Sequence, residues 1–251
     1  MNIILAEDHE VVEGVVTLVG RRAEHIIKIL RLEKGDTVRF GVIDGRWGSA
    51  VIRAIHKKHP RSVTLEVRLD RPMNSQPVLD LVVAMARPIM LRRIFSQGAA
   101  LGIGTFHVIH SNRVEKSFWD ATFLKNKEYS ECLLHGLEQA VDTRIPEVIF
   151  HRRFKPFVED VLPGLKTEYS HMVLAHPGSD ASLATVLTGQ RGRILLVVGP
   201  EGGWTDYEVA KFIEAGCVAC DIGSRILKVD TAVVALHARI TQICEEREAL
   251  S

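Results

Sequence analysis

The chain has 251 residues, of which 46% are hydrophobic and 25% charged, with 32 Lys and Arg against 31 Asp and Glu. This length and composition indicate a globular protein with one large domain or two smaller ones. Its apolar runs are far shorter than the roughly 20 residues that cross a bilayer, and its first residues lack the basic and apolar segments of a signal peptide. We therefore expect a cytoplasmic protein without a membrane span.

The positive charge is concentrated in the first third of the chain. Residues 14–68 contain twelve Lys and Arg against five Asp and Glu, whereas residues 69–251 contain twenty against twenty-two. A surplus of cations on a small domain favours contact with the phosphates of a nucleic acid. The alternative is a solvated basic face on a domain that serves only packing.

The first part of the chain is dominated by strand patterns. Strands are predicted at residues 37–43, 47–55 and 62–69, and the first two are joined by Asp44-Gly45, a strong hairpin signal. One amphipathic helix is predicted at 22–30. We expect residues 1–72 to form a small β-barrel that carries one helix, and we interpret it as an RNA-binding domain.

A polar segment bracketed by prolines, residues 71–77, is the best candidate for a domain boundary. Beyond it, strand and helix patterns alternate, and a last helix is predicted at 231–246. The predicted strands of this part are 79–86, 105–110, 147–151, 170–175, 193–198 and 217–222. Such alternation indicates an α/β domain over residues 77–251 with a mostly parallel sheet.

The four cysteines, Cys132, Cys217, Cys220 and Cys244, are too few and too irregularly spaced for a disulfide framework. Cys217 and Cys220 form a single CxxC within a predicted strand, where residues three apart point to opposite faces. We interpret them as a buried pair, with a metal or redox site as the alternative. No metal site is expected.

Three polar loops follow predicted strands of the α/β part, at residues 175–179, 199–203 and 223–231. Ligands bind at the carboxyl ends of strands in open α/β sheets, so these loops are the candidate ligand site. The second loop, Gly-Pro-Glu-Gly-Gly, has no phosphate-binding lysine and carries Glu201 where a phosphate would lie. It suits a nucleoside without phosphate groups better, and a purely structural turn is the alternative.

The order strand, GPEGG, helix, strand, Gly-x-Arg-Ile-Leu-Lys-x-Asp-Thr-Ala, helix resembles the carboxyl end of the bacterial small-subunit ribosomal RNA uridine-N3 methyltransferases, the RsmE type of the SPOUT superfamily. The similarity extends to His176-Pro177, to residues 137–146 and to residues 111–114. Four positions depart from the usual motifs: Lys228 replaces an arginine, Asp230 replaces a glutamate, and Gln97 and Ala100 replace a lysine and a glutamate. The similarity covers most of the chain.

The resemblance implies a PUA-like barrel followed by a SPOUT α/β domain with a carboxyl-terminal trefoil knot. It also implies a homodimer that binds S-adenosylmethionine and methylates N3 of a uridine in 16S ribosomal RNA. The implied donor-binding residues are Leu174, His176, Val198, Gly199, Pro200, Glu201, Gly202, Gly203, Ile222, Gly223, Ser224, Ile226, Leu227 and Thr231.

Chemical roles are expected for three residues of the third loop. Arg225 or Lys228 would stabilise negative charge on the uracil carbonyls, and Asp230 would orient that cation or accept the proton. For Asp230 the alternative is a cap at the start of the last helix.

Contacts with RNA are expected from a second group of residues. The expected substrate-binding residues are Arg113, Glu138, Gln139 and Arg144, and further candidate phosphate contacts are Arg87, Arg92, Arg93, Arg152 and Arg153. A structural cap is the alternative for the residues at the end of the helix before Pro146, and a solvated face is the alternative for the other arginines.

Two rival functions remain open at this point. One is a non-catalytic RNA-binding assembly factor that keeps the fold, which the departures at Lys228, Gln97 and Ala100 suggest. The other is a SPOUT enzyme that methylates the ribose 2′-oxygen.

Overall fold

The computed structural model describes residues 2–188 and 192–249. The chain folds into two compact units, Met1–Ser75 with Leu134–Ile145 and Gln76–Leu133 with Pro146–Ser251. The sequence assigned residues 134–145 to the second domain, whereas the structure groups them with the first. The reason is long-range hydrogen bonding, because the Glu138 carbonyl accepts the Asn2 N–H at 2.7 Å and the Thr143 hydroxyl donates to the Gly45 carbonyl at 2.7 Å.

The first unit is built on one five-stranded sheet. Its strands are β1 (Ile4–Ala6), β2 (Val15–Val19), β3 (Thr37–Val42), β4 (Trp47–His56) and β5 (Ser62–Arg71). Their order is β1-β3-β4-β5-β2, parallel between β1 and β3 and antiparallel elsewhere. The sheet is a curled half-barrel, and the sequence analysis identified β3, β4 and β5 but missed the two edge strands.

The helix predicted at 22–30 is present, and it has two parts. Helix α1 (Gly20–Glu24) continues directly as a π-helix over His25–Leu30, and Arg31 ends it in the left-handed region at φ +54°. Ala23 and Ile26 are fully buried in the core that the concave sheet forms with Phe40. Burial of this apolar face stabilises the helix against the sheet.

The second unit contains a six-stranded parallel sheet, as the alternating pattern predicted. Its strands are β6 (Leu79–Ala84), β7 (Thr105–Ile109), β8 (Glu147–His151), β9 (His171–Ala175), β10 (Ile194–Val198) and β11 (Val218–Cys220). The order is β11-β9-β10-β6-β7-β8. Every residue of β6 and β10 is buried, which explains their continuous apolar sequences.

Helices alternate with these strands. They are α2 (Pro88–Leu101), α3 (Thr122–Lys125), α4 (Tyr129–Ala140), α5 (Phe154–Pro156), α6 (Leu162–Leu165), α7 (Leu183–Val186), α8 (Asp206–Glu214) and α9 (Val229–Ala249). A π-helix (Phe157–Val161) and three 3₁₀ turns (Asp8–Glu10, Lys116–Asp120 and Lys166–Glu168) complete the described elements. None of the described helices is long and apolar enough to cross a membrane.

Helix α9 begins two residues earlier than predicted and packs against α2 and β10. Val233, Leu236 and Ile240 are the buried residues of this contact, and their spacing of three and four residues matches one helix face. The trefoil knot stays a prediction.

Two buried polar clusters lie inside the second unit. The Asp80 carboxylate on β6 accepts the Tyr169 hydroxyl at 2.6 Å and the Thr105 N–H at 2.8 Å, and it pairs with Arg193. On β7, His107 is 3% exposed, and its Nδ1 lies 3.2 Å from His151 Nε2. Burial, with a smaller contribution from His151, lowers the pKa of His107 to about 4.

The buried His107 makes stability depend on pH. As the pH falls below 6.5, His107 becomes protonated in the unfolded chain, whereas in the folded chain it stays neutral down to about pH 4. The unfolded state is therefore favoured, and the free energy of unfolding decreases between pH 6.5 and 4. The loss amounts to about 3 kcal/mol at most. Denaturant unfolding at a series of pH values should show a flatter dependence for His107→Gln than for wild type.

The exposed His56 provides the matched control. His56→Gln should keep the wild-type dependence on pH. An identical slope for His107→Gln and wild type between pH 6.5 and 4 would contradict the assignment.

Candidate functional site

Strand register brings the three predicted loops together. Ala175 at the end of β9 is level with Val198 of β10 and with Cys220 of β11, so the chain leaves all three strands at one edge of the sheet. A cavity of about 280 Å³ lies there. It is lined by Arg113, Ala175, His176, Pro177, Val198, Gly199, Pro200, Glu201, Gly203, Trp204, Cys220, Asp221, Ile222, Arg225, Ile226, Leu227, Val229, Ala232 and Leu236.

Most of the residues expected to bind a donor line this cavity, and some do not. Those outside the lining are Leu174, Gly202, Gly223, Ser224 and Thr231. Leu174 is fully buried within β9, so its side chain belongs to the core. The two glycines shape the loops, and Gly223 has φ +136°, which side chains rarely adopt.

Several lining residues were missed by the sequence analysis. Trp204, directly after the GPEGG motif, is 4% exposed and packs its ring on Phe212 at a centroid distance of 5.0 Å. A Cβ on Gly199 would lie only 3.0 Å from Trp204 Nε1. Glycine at this position therefore allows the indole to approach the loop backbone, and an aromatic residue after a glycine-rich loop was the available signal.

Glu208 fastens the GPEGG loop to the loop after β7. Its side chain is 2% exposed and closes a capping box with Thr205, whose N–H and hydroxyl both donate to Oε2 at 2.9 Å. The other oxygen, Oε1, accepts the Asn112 N–H at 2.8 Å. One buried carboxylate thus serves three donors from two loops, and the sequence revealed only the capping box.

Asp221 fastens the other two loops. Its carboxylate accepts the Gly178 N–H at 2.8 Å and the Gly223 N–H at 3.0 Å. These backbone hydrogen bonds, from Gly178 first, lower the pKa of Asp221, so the group stays anionic and is a poor proton acceptor. The sequence analysis placed Asp221 inside a strand and assigned it no role.

Two arginines stand at the cavity. Arg113 Nη1 donates to the Gly202 carbonyl at 2.5 Å, which holds this guanidinium against the GPEGG loop. Arg225 is exposed and lines the same cavity. Lys228 is exposed but does not belong to the lining.

Asp230 lies at the start of α9 and is 8% exposed. Its Oδ2 is 3.3 Å from Arg93 Nη1, and its Oδ1 accepts the Thr231 N–H at 3.0 Å. The sequence analysis expected Asp230 to orient Lys228 or Arg225, whereas the cation beside it is Arg93 of α2. Asp230 is the second residue of α9 and so is not the N-cap that the alternative expected, but its negative charge lies in the first turn, where the helix dipole favours it.

Three of the expected RNA-binding residues belong to the first unit and are engaged within it. Glu138 is buried and forms a bidentate ion pair with Arg21, whose Nη1 and Nη2 donate to Oε2 and Oε1 at 2.9 and 2.7 Å. The Gln139 carbonyl accepts the Asn2 side-chain amide, and Arg144 donates to the Asn74 carbonyl at 3.1 Å. The side chains of Glu138 and Arg144 are therefore engaged within the unit, whereas Gln139 contributes only its backbone carbonyl.

The chain is similar to known proteins over most of its length. Residues 73–241 match the family model of the RNA methyltransferase domain, and residues 18–65 match that of the RNA methyltransferase PUA domain. A ribosomal RNA small subunit methyltransferase E from Treponema pallidum is 31% identical over 95% of this chain and 90% of its own. One from Borreliella burgdorferi is 26% identical over 94% and 95%.

The fold is shared with a solved relative. The crystal structure of a ribosomal RNA small subunit methyltransferase E from Neisseria gonorrhoeae, bound to S-adenosyl methionine, superposes with a TM-score of 0.76 at 20% identity and covers 97% of this chain and 98% of its own. The sheet with the cavity at its edge is therefore the RNA methyltransferase domain, and the half-barrel is the PUA domain. The chain belongs to the ribosomal RNA small subunit methyltransferase E family and is an rRNA methyltransferase.

Proposed function

We propose that the chain transfers a methyl group from S-adenosylmethionine to N3 of a uridine in small-subunit ribosomal RNA. The observation that carries the proposal is the cavity of about 280 Å³ at the ends of β9, β10 and β11. The carboxyl-terminal motifs that resemble the uridine-N3 enzymes supply most of its lining. The Neisseria gonorrhoeae relative binds S-adenosyl methionine.

The chemistry of the lining fits a cationic nucleoside without phosphates. The walls are mostly apolar, with Val198, Ile222 and Leu227 among them, and two carboxylates, Glu201 and Asp221, stand at the cavity. Carboxylates favour a positively charged ligand and disfavour a phosphate. S-adenosylmethionine supplies an electrophilic methyl group on a positively charged sulfur, and the carbon–sulfur bond breaks as the new bond to nitrogen forms.

Methylation at N3 of uracil requires the departure of the imide proton, and negative charge then spreads onto the two carbonyl oxygens. Arg113 and Arg225 line the cavity and are suited to stabilise that charge. Asp221 is committed to two backbone N–H groups. Glu201, which is exposed and lines the cavity, is therefore the better proton acceptor of the two carboxylates.

Filling the cavity should block donor binding without disturbing the fold. Ala232 lines the cavity from helix α9, and Ala238 is an exposed residue of the same helix. We expect Ala232→Phe to weaken S-adenosylmethionine binding at least about tenfold, or about 1.4 kcal/mol, because the ring occupies the ligand volume. Isothermal titration calorimetry measures the affinity.

The control is Ala238→Phe, which adds the same ring outside the cavity and should bind like wild type. The proposed site is wrong if wild type binds neither S-adenosylmethionine nor its demethylated product. Equal affinities for Ala232→Phe and wild type would also contradict it.

We also infer a homodimer built on the knotted carboxyl-terminal region that the resemblance implies. Val233 and Leu236 of helix α9 are buried within the second unit itself, so their side chains are not available to such an interface. The support that remains is Ile226, which is 86% exposed in the third loop. A second copy of the chain that covered this side chain would remove its apolar surface from water.

Light scattering should give a mass of twice 28.0 kDa for wild type. Ile226→Asp should shift the mass toward that of a monomer, because it places a charge at the interface. A monomeric wild type at micromolar concentration with full methyl transfer would contradict the dimer.

The PUA domain, in this proposal, supplies affinity for RNA in the cytoplasm. Several of its cations are committed to carboxylates, such as Arg53 to Glu66 and Lys28 to Glu24. Others are exposed and have no described carboxylate within 4 Å, among them Arg31, Lys34, Arg39, Lys57 and Lys58. The unpaired cations are the better phosphate contacts, because they need not leave a partner.

Removing two unpaired cations, in Lys57→Ala/Lys58→Ala, should weaken RNA binding and flatten its dependence on salt by up to about 1.4 in the log–log slope for a single strand. The control Lys28→Ala/Arg53→Ala removes two paired cations and should do less. Fluorescence anisotropy with labelled ribosomal RNA measures both. Equal losses in the two double variants would contradict the distinction.

A further inference from the structure

Arginines follow the carboxyl ends of three neighbouring strands in the methyltransferase domain. Arg87 comes after β6, Arg113 after β7, and Arg152 with Arg153 after β8. These strands are adjacent in the sheet order β6-β7-β8. The four residues are called the arginine row below.

The register of β6, β7 and β8 places the four arginines along the edge of the sheet where these strands end. Ala84 of β6 is level with Ile109 of β7, and Ile109 is level with His151 of β8. Neighbouring strands lie about 4.8 Å apart, so the row extends about 10 Å across the sheet edge. The donor cavity opens on the same edge, and Arg113 belongs both to the row and to the cavity lining.

All four arginines are exposed, and among the described residues no carboxylate lies within 4 Å of them. Other arginines of the same domain are paired: Arg92 with Glu128, Arg93 with Asp230 and Arg193 with Asp80. The candidate phosphate contacts therefore fall into two groups. Arg92 and Arg93 form ion pairs within the domain, whereas the arginine row has no carboxylate partner among the described residues and is available to a ligand.

Arg152 is held in a fixed orientation. Its guanidinium lies over the ring of Trp119, 5.4 Å from the centroid, and Trp119 Nε1 donates to His110 Nδ1 at 3.0 Å. Phe150 packs against the same indole, edge to face at 6.4 Å. A guanidinium that rests on the face of an aromatic ring keeps N–H groups available to donate to a phosphate.

We propose that Arg87, Arg152 and Arg153 of the arginine row bind consecutive phosphates of the RNA strand that flanks the target nucleotide and lead this strand to the donor cavity, where Arg113 stabilises the uracil. The inference rests on the proposed function, since it assigns the path of that substrate. The partner is RNA because the row offers guanidinium groups without carboxylate partners among the described residues at short intervals. Arginine forks match phosphate oxygens.

The test uses the double variant Arg87→Ala/Arg152→Ala, which avoids Arg113 and thus the cavity. Its control, Lys155→Ala/Lys211→Ala, removes two cations of the same domain that are paired with Glu159 and Glu214. Anisotropy with naked small-subunit ribosomal RNA gives the affinity at several salt concentrations. Methyl-transfer kinetics on the same RNA give KM and kcat.

We expect the row variant to bind RNA about tenfold more weakly, with a log–log salt slope smaller by up to about 1.4 for two contacts with a single strand. In the kinetics, KM for the RNA should increase while kcat stays close to the wild-type value. The affinity for S-adenosylmethionine should also stay at the wild-type value. Arg152→Lys, which keeps the charge but loses the stacked fork, should lie between wild type and Arg152→Ala.

Unchanged RNA affinity and salt slope in the row variant would overturn the proposal. A loss seen only with assembled small subunits, and not with naked RNA, would also overturn it, because the row would then contact a ribosomal protein. The two proposals fail separately: a wild type that transfers no methyl group refutes the function, whereas the anisotropy measurement still decides on the row.

Discussion

The buried carboxylate of Glu208 is the interaction on which the geometry of the catalytic edge depends. An ionised group at 2% exposure is stable only when hydrogen bonds replace its hydration. Thr205 and Asn112 provide them, and because these residues belong to the loops after β10 and β7, the two loops cannot move independently. Arg113, one residue beyond Asn112, is thereby held where it reaches the Gly202 carbonyl.

Asp221 has the equivalent role for the remaining loops, and it joins the segments around Gly178 and Gly223. The two carboxylates differ in environment. Glu208 is sealed from water, whereas Asp221 stands at the cavity, and hydrogen bonds from the Gly178 and Gly223 N–H groups lower its pKa. Together the two carboxylates fix the positions of the loops that follow β7, β9, β10 and β11. In-line methyl transfer requires that donor and acceptor be held in a fixed geometry, and fixed loops provide it.

Local patterns were sufficient for much of the fold. All six strands of the parallel sheet follow from apolar runs bounded by polar loops, and the β3–β4 hairpin follows from Asp44-Gly45. The edge strands β1 and β2 were missed because they have only three and five residues. The π-helical continuation of α1 has no recognised sequence signature, and the grouping of residues 134–145 with the PUA domain depends on contacts with residues more than 90 positions away.

In the site, too, local patterns predicted the loops but not the contacts between distant residues. The three loops were found because motifs and strand ends coincide, but the partners of the charged residues were not. Glu138 pairs with Arg21 across 117 positions and Asp230 with Arg93 across 137, and no periodicity reports such pairs. Only the fold tells which cations are already committed and which, such as Arg152, are left for RNA.

The central claim is that this edge of the sheet methylates N3 of a uridine in small-subunit ribosomal RNA. The most direct test is mass spectrometry of nucleosides from that RNA, isolated from a strain in which the gene is deleted, before and after incubation with the purified protein and S-adenosylmethionine. We expect 3-methyluridine to be absent before the incubation and present after it. A methyl group on the ribose, or no new methylated nucleoside, would contradict the claim.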